Sequence, residues 1–310
     1  MNKKGIFFTF GAIALSVIII LSFNVHNEYR LNDKMDTVGV RINTMNSFIE
    51  DLENDAENAI FIAGFRSLLS LEDYMFENDD FLDNLGTTFQ DAFKGAFLNG
   101  TIDSQKMDIM KGHTFFNWTE RMKVQANQTD IELEFTLEDN DVTISQSGPW
   151  IVDVTVDLEV DIQDRKKTAS WEIDKPITKK INITGFVDPL YLVNNNGLVN
   201  NTITETTVDP SSSAANLNTH LINSYYIEHS DAPSYIMRFE NDLSSSSYGI
   251  ESLVNSQERI DAGLSALTRS AVDYIYYGSQ STTDCVIRDP SYSWFYLDSD
   301  HLDFYDARCD

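Results

Sequence analysis

The chain opens with a run that carries no charge. Ile6 to Phe23, reading IFFTFGAIALSVIIILSF, follows two lysines, Lys3 and Lys4. As a helix, eighteen residues span about 27 Å, enough for the hydrocarbon core of a bilayer. Lysines on its N-terminal side keep that end in the cytoplasm and send the remainder outward. The pattern then changes. Apolar or small residues fall at Leu31, Met35, Val38, Ile42, Met45, Ile49, Leu52, Ala56, Ala59 and Ala63, in steps that alternate four and three. Asp33, Asn43, Glu50 and Glu53 lie off this stripe. Such spacing predicts a long amphipathic helix over 26–76, continuous with the span or kinked near Gly39. The stripe drifts to Ile60, Leu68, Leu71 and Met75, which favours docking on a body over a coiled coil with other copies.

A second helix or helix pair is expected over 80–98, punctuated by Gly86 and Gly95, with Phe81, Phe89, Phe93 and Phe97 mainly on one face. A third short helix is expected over 114–126. From Ile131 the period becomes two. Ile131, Leu133, Phe135 and Leu137 alternate with polar residues, and Asp139-Asn140-Asp141 reads as a turn into a return strand. Val152, Val154, Val156, Leu158, Val160 and Ile162 alternate with Asp153, Thr155, Asp157, Glu159 and Asp161. Two more strands, 168–173 and 177–184, complete a four- or five-stranded antiparallel meander. Its apolar face requires a cover, which the N-terminal helices supply. Residues 194–218 are rich in Asn, Thr and Ser and read as an exposed connection. A helix is expected over 260–277, on the spacing of Ile260, Leu264, Leu267, Ala271 and Ile275.

The expected fold is therefore α+β: a single N-terminal transmembrane helix continuing into a long amphipathic helix, packed on an antiparallel β-meander, with a mixed C-terminal region. The expected division is 1–25 cytoplasmic tip and anchor, 26–128 helical stalk and helices, 129–193 sheet, 194–218 polar linker and 219–310 C-terminal region.

Lys3-Lys4-Gly5 followed by Ile6-Phe7-Phe8 resembles the class III signal peptide of type IV pilins and their archaeal relatives. The resemblance implies cleavage between Gly5 and Ile6 by a prepilin-type peptidase, with the helix retained. Many pilins carry glutamate at the fifth mature position, where this chain has Phe10. The segments GFVDPLYLV and YGIESLVN, and the tail around Trp294 and His301, resemble archaeal membrane-anchored proteins with KKGIFF-type N-termini. The implied location is the cell membrane, single-pass, with the bulk outside.

Composition sharpens this picture. There are 49 acidic and 22 basic residues, a net charge of -27. Such a charge repels nucleic acid phosphates and anionic headgroups, so no nucleic acid partner is expected. The expected partners are the lipid bilayer and copies of the chain or other surface proteins. Cys285 and Cys309 are the two cysteines. In an exported chain they are expected to form one disulfide, which closes a loop worth about 3.5 kcal/mol.

Catalytic signatures are missing: there is no G-x-S-x-G, H-E-x-x-H, P-loop or dinucleotide fingerprint. The five histidines, at 26, 113, 220, 229 and 301, are scattered without metal-ligand spacing. The carboxylates Asp153, Asp157, Glu159 and Asp161 share one strand face, but alternation with valine marks a solvated face. Asp298, Asp300, His301, Asp303 and Asp306 form the densest potential ligand set; the reading preferred is a helix cap with a solvated acidic tail. No catalytic, cofactor-binding or metal-binding residue is assigned. Among the five N-x-S/T sequons Asn200, in the polar connection, is the best glycosylation candidate, and Asn182 is expected to be less accessible. The function expected is display, adhesion or surface assembly. The alternative is a membrane-tethered hydrolase using carboxylates, which requires two carboxylates to converge in a concave site.

Overall fold

The computed structural model describes residues 3–165, 167, 169–279 and 282–310; within the first helix, side chains are described at 15–22 and from 39 onward. Helix α1, Lys3–Asn78, is continuous through Gly39. Its buried positions among the described side chains begin at Met45 and continue through Leu52, Ala56, Ile60, Ala63, Leu68, Leu71 and Met75. The drifting stripe thus faces the body. Gly64 is a point of close approach, where an added Cβ would stand 3.0 Å from Ile181 and 3.1 Å from Val154. Glycine there lets the helix settle on the sheet. Among the described residues no helix is long and apolar enough to cross a membrane. Most side chains of the expected span, residues 6–23, lie outside those described, as do Gly5 and Ile6.

The expected helix over 80–98 begins later than its pattern. Residues 80–86 form turns, ending at Gly86 with φ +81°, and α2 covers Phe89–Asn99. Thr88 caps it by accepting from the Asp91 N–H. A hairpin of β1 (Thr101–Ile102) and β2 (Gln105–Lys106) follows, then α3, Phe115–Gln128, which opens on a Thr114/Asn117 capping box. Phe89, Phe93, Phe97, Phe115 and Trp118 form a chain of rings with centroids 5.0 to 6.2 Å apart. Trp118 ends it against Phe135 of the sheet and donates from Nε1 to Asp55 of α1, 2.8 Å away.

The sheet contains β3 (Ile131–Thr136), β4 (Val142–Gly148), β5 (Ile151–Asp164) and β6 (Ser170–Asn182), all antiparallel to their partners. It is not the meander expected from sequence. β3 pairs with residues 159–164 of β5, and β4 with residues 151–156, on the same edge. Both run in one direction, so residues 137–141 interrupt a broken strand and do not reverse it. The reason is length: β5 is long enough to accept β3 and β4 end to end. The two strands expected on either side of Pro176 are one strand, paired with β5 from Ser170 to Asn182. Proline is tolerated because β6 is an edge, where its missing N–H costs no ladder bond. Val152, Val154, Val156, Leu158, Val160 and Ile162 are buried, while Asp157, Glu159 and Asp161 face solvent. Helix α1 covers β5 and β6, α3 covers β3, and α2 lies on β4.

Short elements make up the rest: α4 (Pro189–Asn194), α5 (Ala214–Asn223), β7 (Tyr226–Glu228), α6 (Tyr235–Arg238), β8 (Ile250–Ser252), α7 (Ser256–Asp261), α8 (Asp273–Tyr276), β9 (Asp284–Val286), β10 (Tyr296–Asp298) and α9 (Ser299–Phe304). β7 pairs with β8, and β9 with β10. The polar stretch 194–218 is not a free connection. Asn195 and Ile203 are fully buried, Thr202 bridges Val187, and Asn201 donates to the Ser224 carbonyl. Its amides are used for internal bonding, which composition alone does not reveal. Nor is 260–277 one helix. Gly263, at φ +83°, ends α7 with its N–H on the Ile260 carbonyl, and Ile260 and Leu267 stay exposed. Cys285 and Cys309 are disulfide-bonded. One hydrophobic cluster runs from Met45 on α1 to Tyr305 after α9, so the C-terminal region shares the core of the sheet and helices. The chain is an α+β protein.

Candidate functional site

Short helices and two-stranded ribbons leave many backbone and side-chain polar groups with no regular partner. Buried, they must find one. In the C-terminal region they do so in two adjoining networks.

The first surrounds Arg238, which is fully buried on α6. Its Nη1 donates to Asp188 at 2.6 Å and to Asp273 at 2.9 Å, and Nη2 donates to the Ile250 carbonyl. Asp188 also caps α4 and accepts from the Tyr226 hydroxyl at 2.7 Å. Asp273, opening α8, accepts from the N–H and hydroxyl of Ser252 on β8. One guanidinium thereby joins α4, α6, β8 and α8. Burial raises the Asp273 carboxyl to about 6 despite the neighbouring Arg238. Such a buried pair adds little net stability over apolar packing of the same shape, yet removing one partner alone is strongly destabilising.

The second network centres on Glu251, in the middle of β8 and fully buried. Its Oε1 accepts from the Tyr305 hydroxyl at 2.7 Å, and its Oε2 lies 3.2 Å from His301 Nε2 and 3.4 Å from His229 Nδ1. His301 Nδ1 sits 2.9 Å from both oxygens of Asp298. Asp298 is held in turn by the Ser270 hydroxyl at 2.6 Å and by the N–H groups of Asp300 and His301, whose helix it caps. Burial disfavours the charged form of His301, but its bonds to Asp298 and Glu251 outweigh that and raise it to about 10. His220 lies near Tyr305, buried with neither ring nitrogen bonded, and burial lowers it to about 4.

A further buried acid, Glu72, ties this region to α1. It accepts from the Val187 N–H at 3.1 Å and the Tyr235 hydroxyl at 3.2 Å. Burial raises it to about 8 against both hydrogen bonds.

Of the acidic tail, Asp298 does cap α9 as expected, yet it and His301 are buried; Asp300, Asp303 and Asp306 are exposed. The ladder carboxylates Asp157, Glu159 and Asp161 remain on the open sheet face. Asn200 is exposed, and so is Asn182, which ends an edge strand and is more accessible than expected. Carboxylates converge at Arg238 and at His301, but both pairs are buried in the core. The juxtaposition of His229, Glu251 and His301 was not legible as a spacing motif. One trace existed: Glu251 is a lone acid within the apolar run Ile250-Glu251-Ser252-Leu253-Val254. Comparison with protein-family models, curated proteins and solved structures finds no match for this chain.

Proposed function

We propose that this is a membrane-anchored surface protein, pilin-like in plan, that acts by display, adhesion or assembly of its acidic body outside the cell. The observation that carries the reading is the division of α1. Leu15, Val17, Ile18, Ile19, Ile20 and Leu21 are each 48 to 64 % exposed, on all sides of the helix, whereas among the described side chains Arg41 and Met45 already contact the body. Six bare aliphatic side chains leave roughly 10 kcal/mol of transfer free energy unrealised in water, at about 1.5–3 kcal/mol each. A lipid bilayer, or the helices of neighbouring copies, is the environment that recovers it. The disulfide fits an oxidising exterior. The docked half of α1 lies along the sheet as a pilin stem does.

The test is fractionation of the native full-length protein, with protease added to intact cells and mass spectrometry of the mature N-terminus. The reading expects membrane association and outside-in digestion of the body. A new N-terminus at Ile6 assigns the pilin class, and an intact Met1 a simple anchor. Recovery as freely dissolved intracellular protein with Cys285 and Cys309 reduced overturns the proposal.

A further inference from the structure

We propose that His229, Glu251 and His301 bind one zinc ion. Three short elements bring the ligands together. His229 follows β7, and its N–H donates to the Gly249 carbonyl just before β8. Gly249 has no room for any side chain: an added Cβ would meet backbone oxygens of Ala232 and His229. That contact holds His229 over the strand that carries Glu251. His301 is carried by α9, with its ring 5.2 Å from that of His229.

The two distances to Glu251 fit a tetrahedral ion, and the two imidazole nitrogens, within 4.8 Å of each other, close onto it by a small rotation of the half-buried His229 ring. Zinc–nitrogen and zinc–oxygen bonds of roughly 2.0–2.2 Å place neighbouring ligand atoms about 3.3–3.6 Å apart. Glu251 Oε2 is 3.4 Å from His229 Nδ1 and 3.2 Å from His301 Nε2, and all three ligand atoms lie within 4.8 Å of one another. Two imidazoles and one carboxylate suit zinc better than calcium or magnesium, which take oxygen ligands.

The supporting contacts are those a ligand set requires. His301 turns its second nitrogen to Asp298, which Ser270 and two backbone N–H groups hold in place. This fixes the ring so that Nε2 points at Glu251. The second oxygen of Glu251 is held by Tyr305. A proton on His301 Nε2, shared with Glu251, accounts for one side of this triangle; His229 Nδ1, 3.4 Å from the same oxygen, is a second nitrogen turned on it. Among the described residues, His229 Nδ1 is otherwise met by the Asp231 N–H, at a long 3.4 Å. His229 is also the half-buried member, so the fourth coordination position faces outward and is filled by water.

The inference does not depend on the anchor. Full-length protein in detergent, stripped with chelator and dialysed, is titrated with zinc chloride by calorimetry. Cobalt chloride gives a visible spectrum that reports coordination. One zinc per chain is expected, with a tetrahedral cobalt spectrum. His229→Ala and His229→Gln, at a half-buried position, should weaken zinc at least about 100-fold, with circular dichroism unchanged. Asp298→Asn should weaken it by roughly 10- to 100-fold. Absence of stoichiometric uptake overturns the proposal. So does weak uptake that both His229 variants leave unchanged, since that marks the exposed carboxylates. Neither result bears on where the protein resides.

Discussion

Glu72 is an acid on the first helix that folding makes hard to ionise. Its ordinary value of 4.5 rises to about 8 because its surroundings exclude water. The sign follows from proton binding. Between these two values the native state holds the proton and the unfolded chain releases it, so stability falls as pH rises through that window and levels off above it. From pH 6 to pH 7 the slope is about 1.4 kcal/mol per pH unit and it halves by pH 8, so the loss attributable to this one group between pH 6 and pH 9 is roughly 3 kcal/mol. Glu72→Gln removes the ionisation while keeping an oxygen to accept from Val187 and Tyr235. Its stability should lack this part of the pH dependence. The assay is urea unfolding of the full-length protein in detergent, followed by tryptophan fluorescence at pH 6 and pH 9 for both forms. The difference between variant and parent should move by about 3 kcal/mol in favour of the variant at pH 9, since other titrating groups cancel. Parallel profiles for the two proteins would refute the argument.

Two further outcomes concern the C-terminal region. Arg238→Met leaves Asp188 and Asp273 buried without their cation and should cost about 3–5 kcal/mol in denaturant unfolding. Adding Asp188→Asn and Asp273→Asn should recover part of that loss, and an unchanged deficit would show that charge is not its cause. Replacing Cys285 and Cys309 by serine should lower stability by about 3.5 kcal/mol, the chain-entropy value for a loop of this length. An unfolding midpoint insensitive to reductant would contradict it.

What the sequence made legible follows a physical rule. Segments long enough to repeat their burial pattern several times were readable: the stripe from Met45 to Met75, and the alternation from Val152 to Ile162. There a single period is sampled over many residues, so one exception does not mislead. Strand pairing was less accessible. Nothing local to Asp139-Asn140-Asp141 distinguishes a hairpin turn from a break between two strands that run on in one direction; the length of β5 decides it. The C-terminal elements fell below the threshold, since helices such as α6 and α8 span only 4 residues. Their polar residues are placed by long-range bonds, as Asn195 and Asn201 illustrate. The cluster at Glu251 was hidden for the same reason. Its three members come from separate elements, and only tertiary packing makes them neighbours.

Pro176 has an effect beyond its own ladder. A free sheet margin invites a strand from another molecule, and proline or lysine on it discourages that. On β6 proline sits midway, while Lys175 and Lys179 pair with Glu53 and Glu57 of α1. A guest strand would meet a missing donor at the centre and charged side chains on either side. However densely such molecules crowd together, that flank is a poor seam for cross-β growth.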